Sequence, residues 1–247
     1  MSGGERSRIW FEILALYLGS CFVIRGIKML QEGFGLPDDV LVLVALVFIY
    51  TPWVAEKWRG YYVDDDILRP EPLRPALLKG LRFFVIVIAV IYPFFLLGNH
   101  LWQTMGFTWF TDSVLGWTRP YRPHFPTHGL PDDLLMQVLY QLICVGYAEE
   151  YFYRGYMQTR MNEVFDGRRF RLLGAEFGWA LPVTAILFTA GHSIVTFQWW
   201  QPFIIFPALI FGWMRARSGN IIAGTLFHAW SNSVMIVLDS LYGVKGA

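Results

Sequence analysis

Charge is what this sequence has least of. Asp, Glu, Lys and Arg make up 16% of its 247 residues, against about a quarter in a soluble domain, whose surface must face water. That shortage excludes an ordinary soluble globule. Net charge is +1, which leaves no basic excess for nucleic acid or for a polybasic membrane anchor. Cysteine is scarce as well: Cys21 and Cys144 both lie in apolar runs and read as small hydrophobes, not as a disulfide framework or thiolate metal site. The C-terminal Val-Lys-Gly-Ala carries no prenylation signal. The leader MSGGERSR precedes a long apolar stretch without a small-residue cleavage site, so the first span is expected to be retained. No internal repeat, G-x-S-x-G elbow or H-E-x-x-H helix is present.

Apolar residues are what the sequence has instead. They make up 55% of the chain, and they are gathered into runs long enough to cross a bilayer, which takes about 20 residues. The expected fold is all-α, a single polytopic bundle of about seven transmembrane helices within a range of six to eight. The spans fall at roughly 9–30, 39–55, 80–98, 134–158, 178–197, 199–214 and 219–242. With the N-terminus inside, 15 of the 20 Lys and Arg fall on the cytoplasmic side, Arg154 counted among them. Cytoplasmic loops are the ones enriched in these residues, so the split favours N-in and C-out. Residues 1–133 hold the first helices and an outer loop without a recognisable motif, whereas residues 134–242 hold the polar residues that carry chemistry. Trp102, Trp109 and Trp117 in the outer loop read as an interfacial belt. His124 and His128 read as solvated loop histidines.

Those polar residues are out of place in lipid. An acidic side chain at mid-bilayer costs about 3 kcal/mol on insertion scales, and such residues persist where they face a polar interior. Glu149 and Glu150 are adjacent in the fourth span. Successive helical residues diverge by about 100°, so the two carboxylates point to different places. Glu150 has Arg154 four residues on, at salt-bridge spacing. Glu149 has no such partner, and Gly146 one turn back is expected to clear room beside it. The fifth span supplies Phe188 and His192; the seventh supplies His228 and Asn232, stacked on one face with Gly224. Counted at 1.5 Å per residue from their helix ends, Glu149, His192 and His228 lie about 13–16 Å deep, so they can converge. Tyr151, Phe152, Tyr153 and Tyr156 are expected to pack.

The run Glu149-Glu150-x-x-x-Arg154-Gly155, then Phe188-x-x-x-His192, then His228-x-x-x-Asn232 resembles the three motifs of the CAAX-protease and bacteriocin-processing (Abi) family, which includes the type II prenyl-protein endopeptidase. Tyr153 stands where that family often has Phe. The resemblance covers roughly residues 134–242 and implies a helical intramembrane glutamic endopeptidase. It implies Glu149 as the base that activates water, assisted by His192. It implies His228 and Asn232 as oxyanion donors, with Glu150 and Arg154 in support. The EEYFYRGYMQTRM run and the aromatic outer loop resemble the myxosortase subgroup, which removes C-terminal sorting helices from surface proteins.

The residue chemistry fits that assignment. A carboxylate in a dehydrated cavity can take a proton from water and return it to a leaving amine. Each donor aimed at the oxyanion is worth about 10²–10³ in rate. No cofactor is required; two His and a Glu could still bind zinc with one position open, and that alternative stands beside the metal-free one. The expected partners are the lipid bilayer and a peptide or protein substrate, membrane-anchored or lipidated; a prenylated tail would be cut from the cytoplasmic side. The expected location is a bacterial inner membrane. Two other readings are a catalytically silent scaffold or immunity homologue, and a proton-coupled transporter using Glu149, His192 and His228 as a relay. A transporter predicts inverted repeats and broken helices in both halves.

Overall fold

The computed structural model describes residues 2–60, 72–105, 124–165, 167, 169–198 and 200–243. Its seven long helical elements follow the seven apolar runs. They are α1 (Gly3–Phe34), α2 (Val42–Arg59), α3 (Leu73–Met105), α4 (134–164), α5 (Ala180–Val195), α6 (Ile205–Ser218) and α7 (Ile222–Tyr242). Three of them, α1, α2 and α3, are long and apolar enough to cross a membrane on those criteria alone; α5 is apolar but shorter. Helix α1 starts in a capping box, with the Ser2 hydroxyl accepting from the Glu5 amide and the Glu5 carboxylate accepting from the Ser2 amide.

The bundle buries charged side chains within a largely apolar core and turns many large apolar side chains outward. Phe94 is 76% exposed and Phe22 67%, whereas Glu150 is 0% exposed and Arg154 1%. In water that arrangement would be self-defeating, and in lipid it is the favourable one. Without a hydrophobic drive between helices, close packing and interhelical hydrogen bonds hold a membrane bundle together. Ser20 and Thr51 join α1 to α2 at 2.9 Å, and the Tyr17 hydroxyl donates to the Leu187 carbonyl of α5 at 2.8 Å. At Gly80 an added Cβ would come within 2.8 Å of Ile222, so the backbone of α3 rests against α7.

Contacts between helix ends fix the direction of each helix. Phe11 of α1 meets Trp58 of α2, Glu12 meets Arg160 of α4, and the Lys79 ammonium donates to the Ser218 carbonyl of α6. The opposite end gathers His100 against Tyr242, the 124–130 segment against the end of α7, and the carboxyl ends of α1 and α5. Consecutive helices therefore alternate in direction. Lys and Arg crowd the first end, hereafter the basic end; among the described residues the far end holds Arg25 and Lys28. Arg154 does not belong to this tally of loop charge, because it is buried in mid-bundle.

Two features were not expected from the sequence. Between α4 and α5, Phe170–Leu172 and Ala175–Phe177 form a small antiparallel hairpin, β1 and β2. Its turn is Leu173-Gly174, with φ of 48° and 77°; both central residues are left-handed, as a tight hairpin turn requires. Within α4, two π-helical stretches, Gln141–Tyr147 and Tyr151–Met157, flank Ala148–Glu150. Such widened turns arise inside α-helices and cluster at functional sites.

Candidate active site

Helix α4 brings its two glutamates up to one imidazole. Glu150 Oε1 lies 3.4 Å from His228 Nδ1, and Glu149 Oε2 lies 3.9 Å from His228 Nε2. The carboxylates diverge, as adjacent helical residues must, and approach the ring from its two different nitrogens. On α7, Gly224 makes this approach possible: a Cβ there would stand 2.6 Å from Glu150 Oε2. Gly146 serves another purpose than the expected one of clearing space beside Glu149. Its Cβ would meet the Thr225 carbonyl oxygen at 3.0 Å and the Ala229 nitrogen at 3.2 Å, so it seats α4 on the backbone of α7.

Glu150 is the charge-paired member. Arg154 Nη1 stands 3.0 Å from Glu150 Oε1, and Arg154 Nη2 donates to the Ala208 carbonyl of α6 at 3.1 Å. The Glu150–Arg154 contact falls short of hydrogen-bond alignment, so the pairing is Coulombic. The guanidinium sits 4.3 Å from the Phe188 ring centre and 5.0 Å from that of Phe211, where aromatic faces attract a cation. Phe211 also stacks on the His228 ring, centroids 4.8 Å apart and planes 18° apart. Two aromatic side chains therefore hold both the ion pair and the histidine.

Glu149 is placed differently. It lines a cavity of about 250 Å³ with His192, Tyr153 and Gly191. Its Oε2 has no hydrogen-bond partner among the described residues; the same is true of both Glu150 oxygens and His228 Nδ1. Native proteins pair nearly all buried polar atoms, so a cluster of unpaired ones needs a reason. His192 Nδ1 lies 2.9 Å from the Phe188 carbonyl oxygen. A carbonyl only accepts, so Nδ1 carries a proton; in the neutral ring Nε2 then keeps its lone pair. Asn232 stands one turn beyond His228 and donates from Nδ2 to Gln141 Oε1 at 2.8 Å. Tyr153 is buried among Phe48, Phe152 and Phe188, in keeping with a packing role.

Two polar residues of this interior escaped the sequence reading. Glu12 on α1 is buried, accepting from Tyr156 at 2.9 Å and from Arg160 at 3.2 and 3.1 Å; Glu163 also pairs with Arg160. The cost argument applied to Glu149 would have singled it out, since it too is an acid inside an apolar run. Gln141 is the other, legible as an amide in the apolar stretch before the glutamates. Both cysteines are free, Cys21 buried and Cys144 partly so. Among the described residues no group of three or more His, Cys, Asp or Glu is arranged to hold a metal. His128 packs on Gly243 at the end of α7 and His124 is partly covered. Trp109 and Trp117 lie outside the described residues.

Residues 131–234 match the family model described as type II CAAX prenyl endopeptidase Rce1-like. The core is Rce1-like. The matched stretch takes in α4 to most of α7, and with them both glutamates, both histidines and Asn232. The matched stretch, together with the apolar helices, supports an integral membrane protein of CAAX-type protease kind, a kind that takes protein substrates in a membrane. No curated protein and no solved structure matches it.

Proposed function

We propose that this chain is a glutamic-type intramembrane endopeptidase, cutting a peptide bond near the terminus of a membrane-associated or lipidated protein in a bacterial plasma membrane. The observation that carries the reading is the contrast between two adjacent acids. Glu150 is charge-paired with Arg154, while Glu149 borders the cavity with an unpaired oxygen. In the proposed reaction Glu149 takes a proton from water as its oxygen attacks the scissile carbonyl. His192 Nε2, an acceptor in its tautomer, orients that water by taking a hydrogen bond from it. Negative charge collects on the former carbonyl oxygen, for which His228 and Asn232 are the proposed donors, although neither is on the wall of the cavity beside Glu149. Glu149 then gives its proton to the leaving nitrogen and the C–N bond breaks, which restores the carboxylate. No protein nucleophile or bound cofactor enters the scheme. The N-terminus and the basic end face the cytoplasm in this reading, following the distribution of Lys and Arg.

The test compares membrane-protein C-termini by mass spectrometry in cells carrying wild-type protein and cells carrying Glu149→Gln. Proteins that keep extra C-terminal residues only in the mutant are the expected outcome, and they name the substrates. Identical termini in both, at equal expression, would remove C-terminal proteolysis from consideration and leave N-terminal leader processing, a silent homologue of the same fold, or a transporter.

A further inference from the structure

The cavity beside Glu149 has a direction. Along α1 its wall runs through Cys21 and Ile24 to Lys28, and along α5 from Gly191 to Thr196. Both paths lead from mid-bundle to the far end, where the α1–α2 and α5–α6 connections lie. The wall takes nothing from the basic end: Glu12, Arg160 and the β1–β2 hairpin are all absent from it.

Lys28 is the one Lys or Arg on that wall among the described residues. Its ammonium donates to Thr196 Oγ1 at 2.9 Å, and no described carboxylate pairs with it. An ammonium has three N–H donors, so two remain unused. Capping the carboxyl end of α5 does not account for it. Arg25, exposed one turn earlier, already donates to the Ile194 carbonyl at 2.7 Å. Lys28 is instead half-buried and borders the cavity, where a cation without a counter-charge is costly.

We infer that Lys28 receives a carboxylate of the bound peptide and that the peptide enters from the face opposite the basic end. Glu149 deeper in the cavity repels that group and Lys28 near the mouth attracts it, so together they orient the chain. The word substrate here rests on the proteolytic reading, but binding does not. Two sources supply a carboxylate, the free chain end and an Asp or Glu side chain.

Full-length Glu149→Gln protein in nanodiscs is titrated with three fluorescent mixtures of degenerate apolar peptides. One has free carboxyl ends, one carboxamide ends, and one carboxamide ends with a single internal Asp. Either acidic mixture should bind about tenfold or more tighter than the neutral one, the scale of a charge-assisted hydrogen bond. Lys28→Gln should erase that preference and Lys28→Arg should keep it. Whichever acidic mixture wins identifies the source. Equal binding of all three, no binding at all, or equal weakening of all three in Lys28→Gln overturns the inference, the last marking a purely structural lysine. For entry, Cys21 and Cys144 are replaced by Ala, and Lys28→Cys is offered a membrane-impermeant thiol reagent. Labelling from the side opposite Leu173→Cys is expected, and labelling from the same side, or from neither, refutes it. A protein that prefers carboxylates yet cuts nothing keeps this inference and loses the proteolytic one; a cutting enzyme indifferent to Lys28→Gln does the reverse.

Discussion

Glu149 and Glu150 differ by one position in the chain and by almost everything in their surroundings. Arg154, Phe188, Phe211 and the Ala208 carbonyl make a charge-compensated nest for Glu150. Removing either partner of a buried ion pair strands the other charge, at about 3–5 kcal/mol. Glu150→Gln and Arg154→Ala should therefore both lower the melting temperature in detergent and reduce folded yield. Glu149→Gln should melt like the wild type while abolishing processing. Loss of fold in Glu149→Gln, or a normal melt in Arg154→Ala, would contradict the division of labour. Spacing alone revealed the Glu150–Arg154 pair, because side chains four apart on a helix must meet. His228 lying between both acids was not legible, since that depends on how α7 rotates against α4, which local periodicity does not fix.

At the scale of elements, the close approach of α4 and α7 sets the site. Gly224→Ala would drive a methyl group into the Glu150 carboxylate, and Gly146→Ala would press on backbone atoms of α7 that cannot swing aside. Gly146→Ala should be the more destabilising, because a side chain can yield where a backbone cannot; a comparison of the two melting temperatures checks this. Gly224→Ala should cost activity at modest cost in stability. The helices themselves were readable from apolar run length, and all seven runs became helices. The widened turns of α4 and the β1–β2 hairpin were not. A π turn has the same composition as the α turn it replaces, and Leu173 is an unusual choice for a left-handed turn position. Leu173→Gly should relieve that strain and stabilise by roughly 1 kcal/mol, read as a raised melting temperature.

For the molecule as a whole, the alternating helix directions give a prediction about sidedness. Leu173 at the hairpin tip and Leu130 near the start of α4 are both exposed and lie at opposite ends. In a background without Cys21 and Cys144, Leu130→Cys should react with an impermeant thiol reagent on intact cells, and Leu173→Cys only after permeabilisation. The reverse pattern would invert the N-in assignment. The wall of the cavity carries a different lesson. Its groups closest to the polar cluster lie in the stretch shared with the Rce1-like family, but Cys21, Ile24, Lys28, Leu41, Val44 and Phe48 precede that stretch. On the proposed reading, reactivity and selectivity are written in separate regions of the gene and can drift at different speeds. A lineage could exchange its first two helices and inherit a new diet of substrates without touching the machinery that digests them.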